Sequence, residues 1–248
     1  MIRKYSFYLV LVVLFSSCNT YKSIPYYQDL DRNSPTQEAI SNYSPAVINK
    51  ADILGINVSS RTPEASAIFN YSAKDSRTEI NGYVVDERGE VQIPLIGAFK
   101  VVGLTTAQVQ DKLNQLLLTY YKDPVTNVRI LNFKVAIYGD VVKPDVYSIK
   151  DEKITITQAL TMAGDLTITA MRKNVVLIRE EDGKRNFIPI DLTSKKIFSS
   201  PYYYLKNNDQ IYVQPSNLKL ATVDRGRTTS LVLSALSVVA IVFSVLYK

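Results

Sequence analysis

The chain has no histidine, no tryptophan and a single cysteine among its 248 residues. Without histidine, the commonest general base and the commonest neutral metal ligand are missing. Ser-His-Asp and Cys-His catalysis and Cys/His zinc sites are therefore excluded. One cysteine closes no intramolecular disulfide, so its role has to be sought elsewhere. Strong charge of one sign is also absent: 29 basic residues face 23 acidic ones, for a formal +6. The basic residues are scattered, and no Lys/Arg stripe points to nucleic acid. Apolar content of 46% with 21% charged residues is ordinary for a folded chain, long enough for two small domains.

What is present is concentrated first at the ends. Arg3 and Lys4 precede an uncharged, mostly apolar run from Tyr5 to Phe15, and Ser16-Ser17-Cys18 follows. This reads as an export signal over residues 1–17. Its removal would leave the chain at 27 − 23 = +4. The small residues before the lone cysteine resemble the lipobox of bacterial lipoproteins, with Phe15 where leucine is usual. The resemblance implies lipidation at Cys18, and Asn19 behind it implies sorting to the outer membrane. An ordinary secretory signal with a chance cysteine is the alternative. At the other end, residues 228–247 form a run of 20 without a charge, glycine or proline. As a helix it would extend about 30 Å, the thickness of a bilayer's hydrocarbon. Arg225 and Arg227 precede it and Tyr247-Lys248 ends it. A transmembrane helix is expected, a buried core helix being the alternative. Ser230, Ser237 and Ser244 recur every seven residues, with Ser234 nearby. Such a face suits a wet lumen or close helix contact, unless each hydroxyl only bonds its own helix carbonyl.

Between the ends, residues 18–45 are rich in Tyr, Pro, Asn and Ser and read as an extended arm. A strand is expected from Asp52 to Val58, and a loop or short helix through Pro63–Thr78. Tyr83-Val84-Val85 and Val91-Gln92-Ile93-Pro94 flank a turn at Asp86–Gly89. Thr105 and Gln108 have capping-box spacing, and Val109, Leu113, Leu116, Leu117 and Tyr120 form an apolar stripe ending at Asp123-Pro124. Strands are expected at Val125–Ile130 and Lys134–Tyr138. A second unit places a short helix at Thr157–Ala163 with Gly164 at its end. One hairpin is expected around Glu181–Lys184, and another joins Tyr202–Leu205 to Gln210–Val213. The fold class is α+β: a small mixed-sheet domain at 46–132, a β-grasp-like domain at 133–217, and the C-terminal membrane helix.

Ala51-Asp52-Ile53-Leu54, Val91-Gln92-Ile93-Pro94-Leu95-Ile96-Gly97 and Gly103-Leu104-Thr105, taken in order, resemble the export domain of the Wza-like polysaccharide-export family. Val135–Val141, Pro144-Asp145-Val146-Tyr147, Ile156–Leu160 with Ala163-Gly164, and Leu205–Val213 resemble its soluble-ligand-binding β-grasp (SLBB) domain. Asp165 departs from the pattern, standing where a second glycine is usual. A single β-grasp unit implies a shorter periplasmic stack than in longer members. The resemblance implies a ring-shaped homo-oligomer, often an octamer, anchored in membrane lipid with its body in the periplasm. It also implies a polysaccharide substrate and an inner-membrane copolymerase partner, with no cofactor and no enzymatic activity. A periplasmic glycan-binding or tethering lipoprotein is the alternative. Asp86/Glu87 and Glu180/Glu181/Asp182 would be the carboxylates of a glycosidase reading, but they fall in expected turns, where solvated charge is the simpler account. Tyr202, Tyr203 and Tyr204 are candidates for stacking on sugars, against the simpler role of filling half-buried strands.

Overall fold

Apolar and polar residues alternate from Ile53 onward, and this alternation makes the first strand, β1 (Ile53–Ser59), with Leu54, Ile56 and Val58 turned inward. The computed structural model describes residues 24–40, 45–61, 66–70, 82–181, 183–217, 219, 234, 237 and 238. They gather around two hydrophobic cores. In the first, β1 lies between β2 (Tyr83–Val84) and β5 (Val125–Ile130), antiparallel to both. A separate ribbon pairs β3 (Glu90–Ile93) with β4 (Gly97–Lys100). Helix α1 (Thr106–Leu117) closes this core with Val109, Leu113 and Leu117. Its capping box is formed as expected: Thr105 accepts the Gln108 N–H and the Gln108 side chain accepts the Thr105 N–H.

The second core lies under a five-stranded sheet ordered β7-β6-β10-β8-β9. Its strands are β6 (Lys134–Gly139), β7 (Asp145–Ser148), β8 (Ala170–Glu181), β9 (Lys184–Ile190) and β10 (Gln210–Pro215). β10 runs parallel to β6 and antiparallel to β8. Helix α2 (Ile156–Met162) buries Ile156, Ala159 and Leu160, and Thr155 and Gln158 form a second capping box. A short 3-10 turn, Lys195–Ser199, adds Ile197 to the core. The whole is a mixed α+β arrangement with few helices.

Several sequence expectations are corrected. The Asp86–Gly89 turn exists, with Gly89 N–H bonding Asp86 O at 2.8 Å. The strands on its two sides nevertheless take different partners, β2 joining β1 and β3 joining β4. Tyr202–Leu205 does not form a hairpin with Gln210–Val213; Tyr204 makes an isolated bridge to Thr155. Ile211 and Val213 are fully buried, which a central position in the sheet provides and an edge hairpin would not. Leu116 and Tyr120 leave the apolar stripe, 43% and 53% exposed, because the narrow sheet covers only the Val109-Leu113-Leu117 line. α1 also stops at Leu117, well before Asp123-Pro124, as Tyr121 turns back edge-on to Phe69. The expected loop or short helix at Pro63–Thr78 contains a 3-10 turn, Ala67–Phe69. The hairpin around Glu181–Lys184 is present as β8–β9.

Asp165 has φ +70°, the left-handed region where glycine costs nothing and Asp is tolerated. Its carboxylate accepts the Leu166 N–H at 2.7 Å and the Tyr26 hydroxyl. The turn therefore keeps a glycine's geometry with another residue, and gains an anchor for the N-terminal arm.

Candidate functional site

Two places in the fold join segments that the sequence keeps far apart. The first is the seam between the cores. Asp52, 2% exposed, accepts the Asn49 N–H at 2.8 Å and the Asn207 amide at 2.7 Å. Asn207 in turn accepts the Lys134 N–H at 3.0 Å, so one amide ties the start of β1 to the sheet of the second core. Asn132, in the connection between β5 and β6, accepts the Ile53 N–H and donates to Ala51 O. Burial pushes the Asp52 carboxyl above the usual carboxylate range, against the lowering effect of these two donors. A crevice of about 340 Å³ opens beside the seam, lined by Thr106, Arg129, Phe133, Lys150 and Glu152 among others. Both signs of charge face it.

The second place is where the chain leaves β10. Asp140, fully buried, follows Gly139, whose φ is +97° and whose added Cβ would meet Val213 O at 2.1 Å. Only glycine lets β6 pass this close to β10. Asp140 accepts from Thr169 Oγ1 at 2.8 Å and pairs with Lys219, just beyond β10. Burial disfavours its charge, but hydrogen bonds from Lys219, Thr169 and Thr167 outweigh that and hold the carboxyl below its usual range. The segment leading into residues 228–247 is thus latched to the second domain by a charge-assisted bond.

The N-terminal arm adds a third contact. Tyr27 and Gln28 N–H groups bond Leu192 O and Thr193 O at 3.3 and 2.6 Å. Asp29 accepts from Ser194 Oγ and Lys195 N, both at 2.6 Å. Tyr26 lies over the Arg172 guanidinium, which is 5.5 Å from its ring centroid. The arm is therefore docked on the second domain.

Of the site residues expected from sequence, Cys18, Ser230 and Ser244 lie outside the described residues. Ser234 and Ser237 are helical and exposed, and the Ser237 hydroxyl donates to Ser234 O at 2.7 Å, so at that position the hydroxyl does bond its own helix. Among the described residues no helix is long and apolar enough to cross a membrane, and residues 228–247 are largely outside them. The glycosidase carboxylates are taken up locally. Asp86 caps its turn through the Arg88 and Glu90 N–H groups, which together with the Arg88 side chain hold its carboxyl below the usual range. Glu87 pairs with Lys50, Glu180 with Arg185 and Glu181 with Lys206; Asp182 lies outside the described residues. Among the described residues no three acidic or cysteine side chains gather as metal ligands. Asp209 forms a buried two-pronged pair with Arg179, at 2.9 and 2.6 Å, and caps the turn through the Lys206 N–H.

Tyr202, Tyr203 and Tyr204 are half-buried and serve packing. The Arg179 guanidinium sits 5.7 Å from the Tyr202 ring centroid, and Tyr203 meets Phe198 and Tyr204 edge-on. The tyrosines left on an open face are instead Tyr138 and Tyr212, which the sequence reading did not single out. Strict alternation with Ile137 and with Ile211 and Val213 was the available signal.

Residues 41–131 match the family model of the polysaccharide biosynthesis/export protein, and residues 133–213 match that of the SLBB domain. The chain is 24% identical over 194 residues to the EPS I polysaccharide export outer membrane protein EpsA of Ralstonia solanacearum, covering 74% of this chain and 51% of that protein. It is 28% identical over 148 residues to the protein of the same name from Ralstonia nicotianae, covering 55% and 39%. The chain thus spans about half or less of the length of these curated relatives. The two domain models follow one another along the chain with the Asn132 connection between them, and the protein belongs to the Wza-like polysaccharide biosynthesis/export family with an SLBB domain.

Proposed function

We propose that this protein is an oligomeric outer-membrane lipoprotein whose copies surround a conduit for capsular or exopolysaccharide, without enzymatic activity. The observation that carries the reading is the ordered match of both domains to the export family, whose relatives are named as export outer membrane proteins. In this reading the export domain is residues 46–132 and the β-grasp-like SLBB domain residues 133–217. Residues 1–17 are the signal, Cys18 carries the lipid, and residues 228–247 cross the membrane. The serine face of Ser230, Ser234, Ser237 and Ser244 lines either the lumen or a neighbouring helix. A closed ring requires one surface of each copy to meet a different surface of the next, and an inner-membrane copolymerase supplies the polymer.

The physical logic is a rigid coupling between anchor and body. Asn207 fixes one domain to the other, the arm fixes the lipidated end to the second domain, and Lys219 fixes the exit toward the membrane segment. A passive conduit has to hold its shape while a repeating polymer moves through it, and it has no use for a tight binding site. Single-channel recording on the detergent-extracted assembly in planar bilayers tests the reading, with electron microscopy of the same sample. Rings that conduct are expected. A monomer without conductance would leave a tethering lipoprotein in its place.

A further inference from the structure

The five-stranded sheet covers its core with one face and leaves the other open. Cross-strand register puts Tyr138, Tyr212, Val176 and Pro189 in one row of the open face, and Val146, Ala136, Gln210, Ile178 and Phe187 in the next. The row between them points inward through Ile137, Ile211 and Leu177, all fully buried. Phe187 is 65% exposed, Val146 57% and Tyr138 37%. None of the contacts of the arm, α2 or the Lys195–Ser199 turn described above falls on this face. From β7 to β9 it measures about 19 Å at ordinary strand spacing.

The chemistry of its polar groups is selective. No charged side chain lies in these two rows; the hydrogen-bonding groups are the Tyr138 and Tyr212 hydroxyls and the Gln210 amide. Asn174 and Gln214, joined by their amides, continue the face beyond Tyr212. The Tyr138 and Tyr212 rings lie on neighbouring parallel strands, centroids 5.5 Å apart and tilted by 40°. The Tyr138 hydroxyl donates to Gln210 Oε1 at 3.5 Å, and a second apolar protein surface or lipid tails would leave the remaining capacity of these amides and of the Tyr212 hydroxyl unmet. An uncharged sugar chain presents C–H faces to the rings and hydroxyls to the amides. We infer that the open face of the SLBB sheet is a shallow glycan-binding platform, with Tyr138 and Tyr212 as stacking residues and Gln210 as the polar contact. The inference rests on the export reading for its ligand class and adds the place of contact. A flat, unwalled surface binds each repeat weakly, and so lets a polymer slide.

Titration of the detergent-extracted full chain with cellohexaose, followed by saturation-transfer difference NMR, tests it. Cellohexaose suffices as a probe because an aromatic platform reads pyranose C–H faces. Tyr138→Ala with Tyr212→Ala is expected to weaken binding about tenfold or more, while Tyr138→Trp, which keeps a stacking surface, retains it. A hexamer of galacturonic acid is expected to bind no better, since the two rows that hold Tyr138, Tyr212 and Gln210 carry no cation and Arg185, in the row beyond, is paired with Glu180. Absence of cellohexaose binding, or binding unchanged by the double variant, would overturn the inference. So would a loss of binding accompanied by a changed assembly size, which would give the face to a contact between copies. Conductance of the wild-type assembly is read separately: channels without cellohexaose binding sink the platform alone, and a non-conducting monomer that still binds sinks the export reading alone.

Discussion

Thr105 and Thr155 open helices in the two domains with the same Thr-x-x-Gln signal, yet the helices land on different sheets. α1 packs on a small antiparallel sheet in which β1 pairs with β5 from far along the chain, Leu54 opposite Ile130 and Ser59 opposite Val125. α2 belongs to a sheet whose central strand, β10, arrives from more than 70 positions beyond β6 and runs parallel to it. The first domain keeps its charged residues largely at the surface. The second buries a complete ion pair, Arg179–Asp209, with side chains 4% and 1% exposed. Local rules build both helices. What differs is the direction of the long-range pairing, antiparallel for β1 with β5 and parallel for β6 with β10, and the buried pair sits where the return into β10 begins.

The largest test of this contrast is Arg179→Ala. Removing the guanidinium leaves the Asp209 charge buried alone beside the turn into β10, at a cost of about 3–5 kcal/mol. Denaturant unfolding of the detergent-extracted chain, followed by circular dichroism, reads it; a loss below ~1 kcal/mol would show that the pair does not hold the second sheet.

Asn207→Ala probes the seam, where the two domains depend on each other. It leaves one oxygen of buried Asp52 without its donor, and about 1–3 kcal/mol of stability is expected to go. The pH dependence has a definite sign. Burial raises the folded-state pKa of Asp52, so ionising it opposes folding; the penalty begins to shrink as pH falls through that folded-state value and is gone below the unfolded-state one. The deficit of Asn207→Ala should therefore shrink on acidification; a deficit independent of pH would remove Asp52 from the account.

The paired caps give an internal control. Thr105→Ala and Thr155→Ala should each cost about 1 kcal/mol, and their effects should add, since the caps share no partner. Unequal costs measured by the same unfolding experiment would mean that one helix is held mainly by its packing. The smallest effect is expected for Lys219→Ala. Its side chain is 48% exposed, and solvent screening keeps the loss to about 1 kcal/mol or less. Because the Asp140 carboxyl is held below its usual range, the latch is fully present above the unfolded-state pKa and is lost as pH falls through the folded one. Limited proteolysis just beyond β10 should rise in the variant at neutral pH, and in wild type only on acidification.

Much of the fold was legible because its signals are local. The Thr105–Gln108 cap, the Val109-Leu113-Leu117 line, the Glu181–Lys184 hairpin and the alternation in β1 each act within a few residues. The site was less so. Tyr202, Tyr203 and Tyr204 stood out as a cluster, but packing against Phe198 and Arg179 used their rings. Tyr138 and Tyr212 look unremarkable until β6 and β10 are paired. Asp52 and Asp209 were visible as acids within motifs, while their partners, Asn207 and Arg179, were not.

By itself the sequence determined the absence of histidine chemistry, the order of domains, the apolar ends and the places where helices begin, because composition, caps and periodicity need no distant partner. Only the tertiary structure decided that β10 enters beside β6 and that one amide joins the domains across the seam. It alone also left two tyrosines standing together on an open face. Those outcomes depend on which apolar rows can be buried at once, and burial is a property of the assembled sheet.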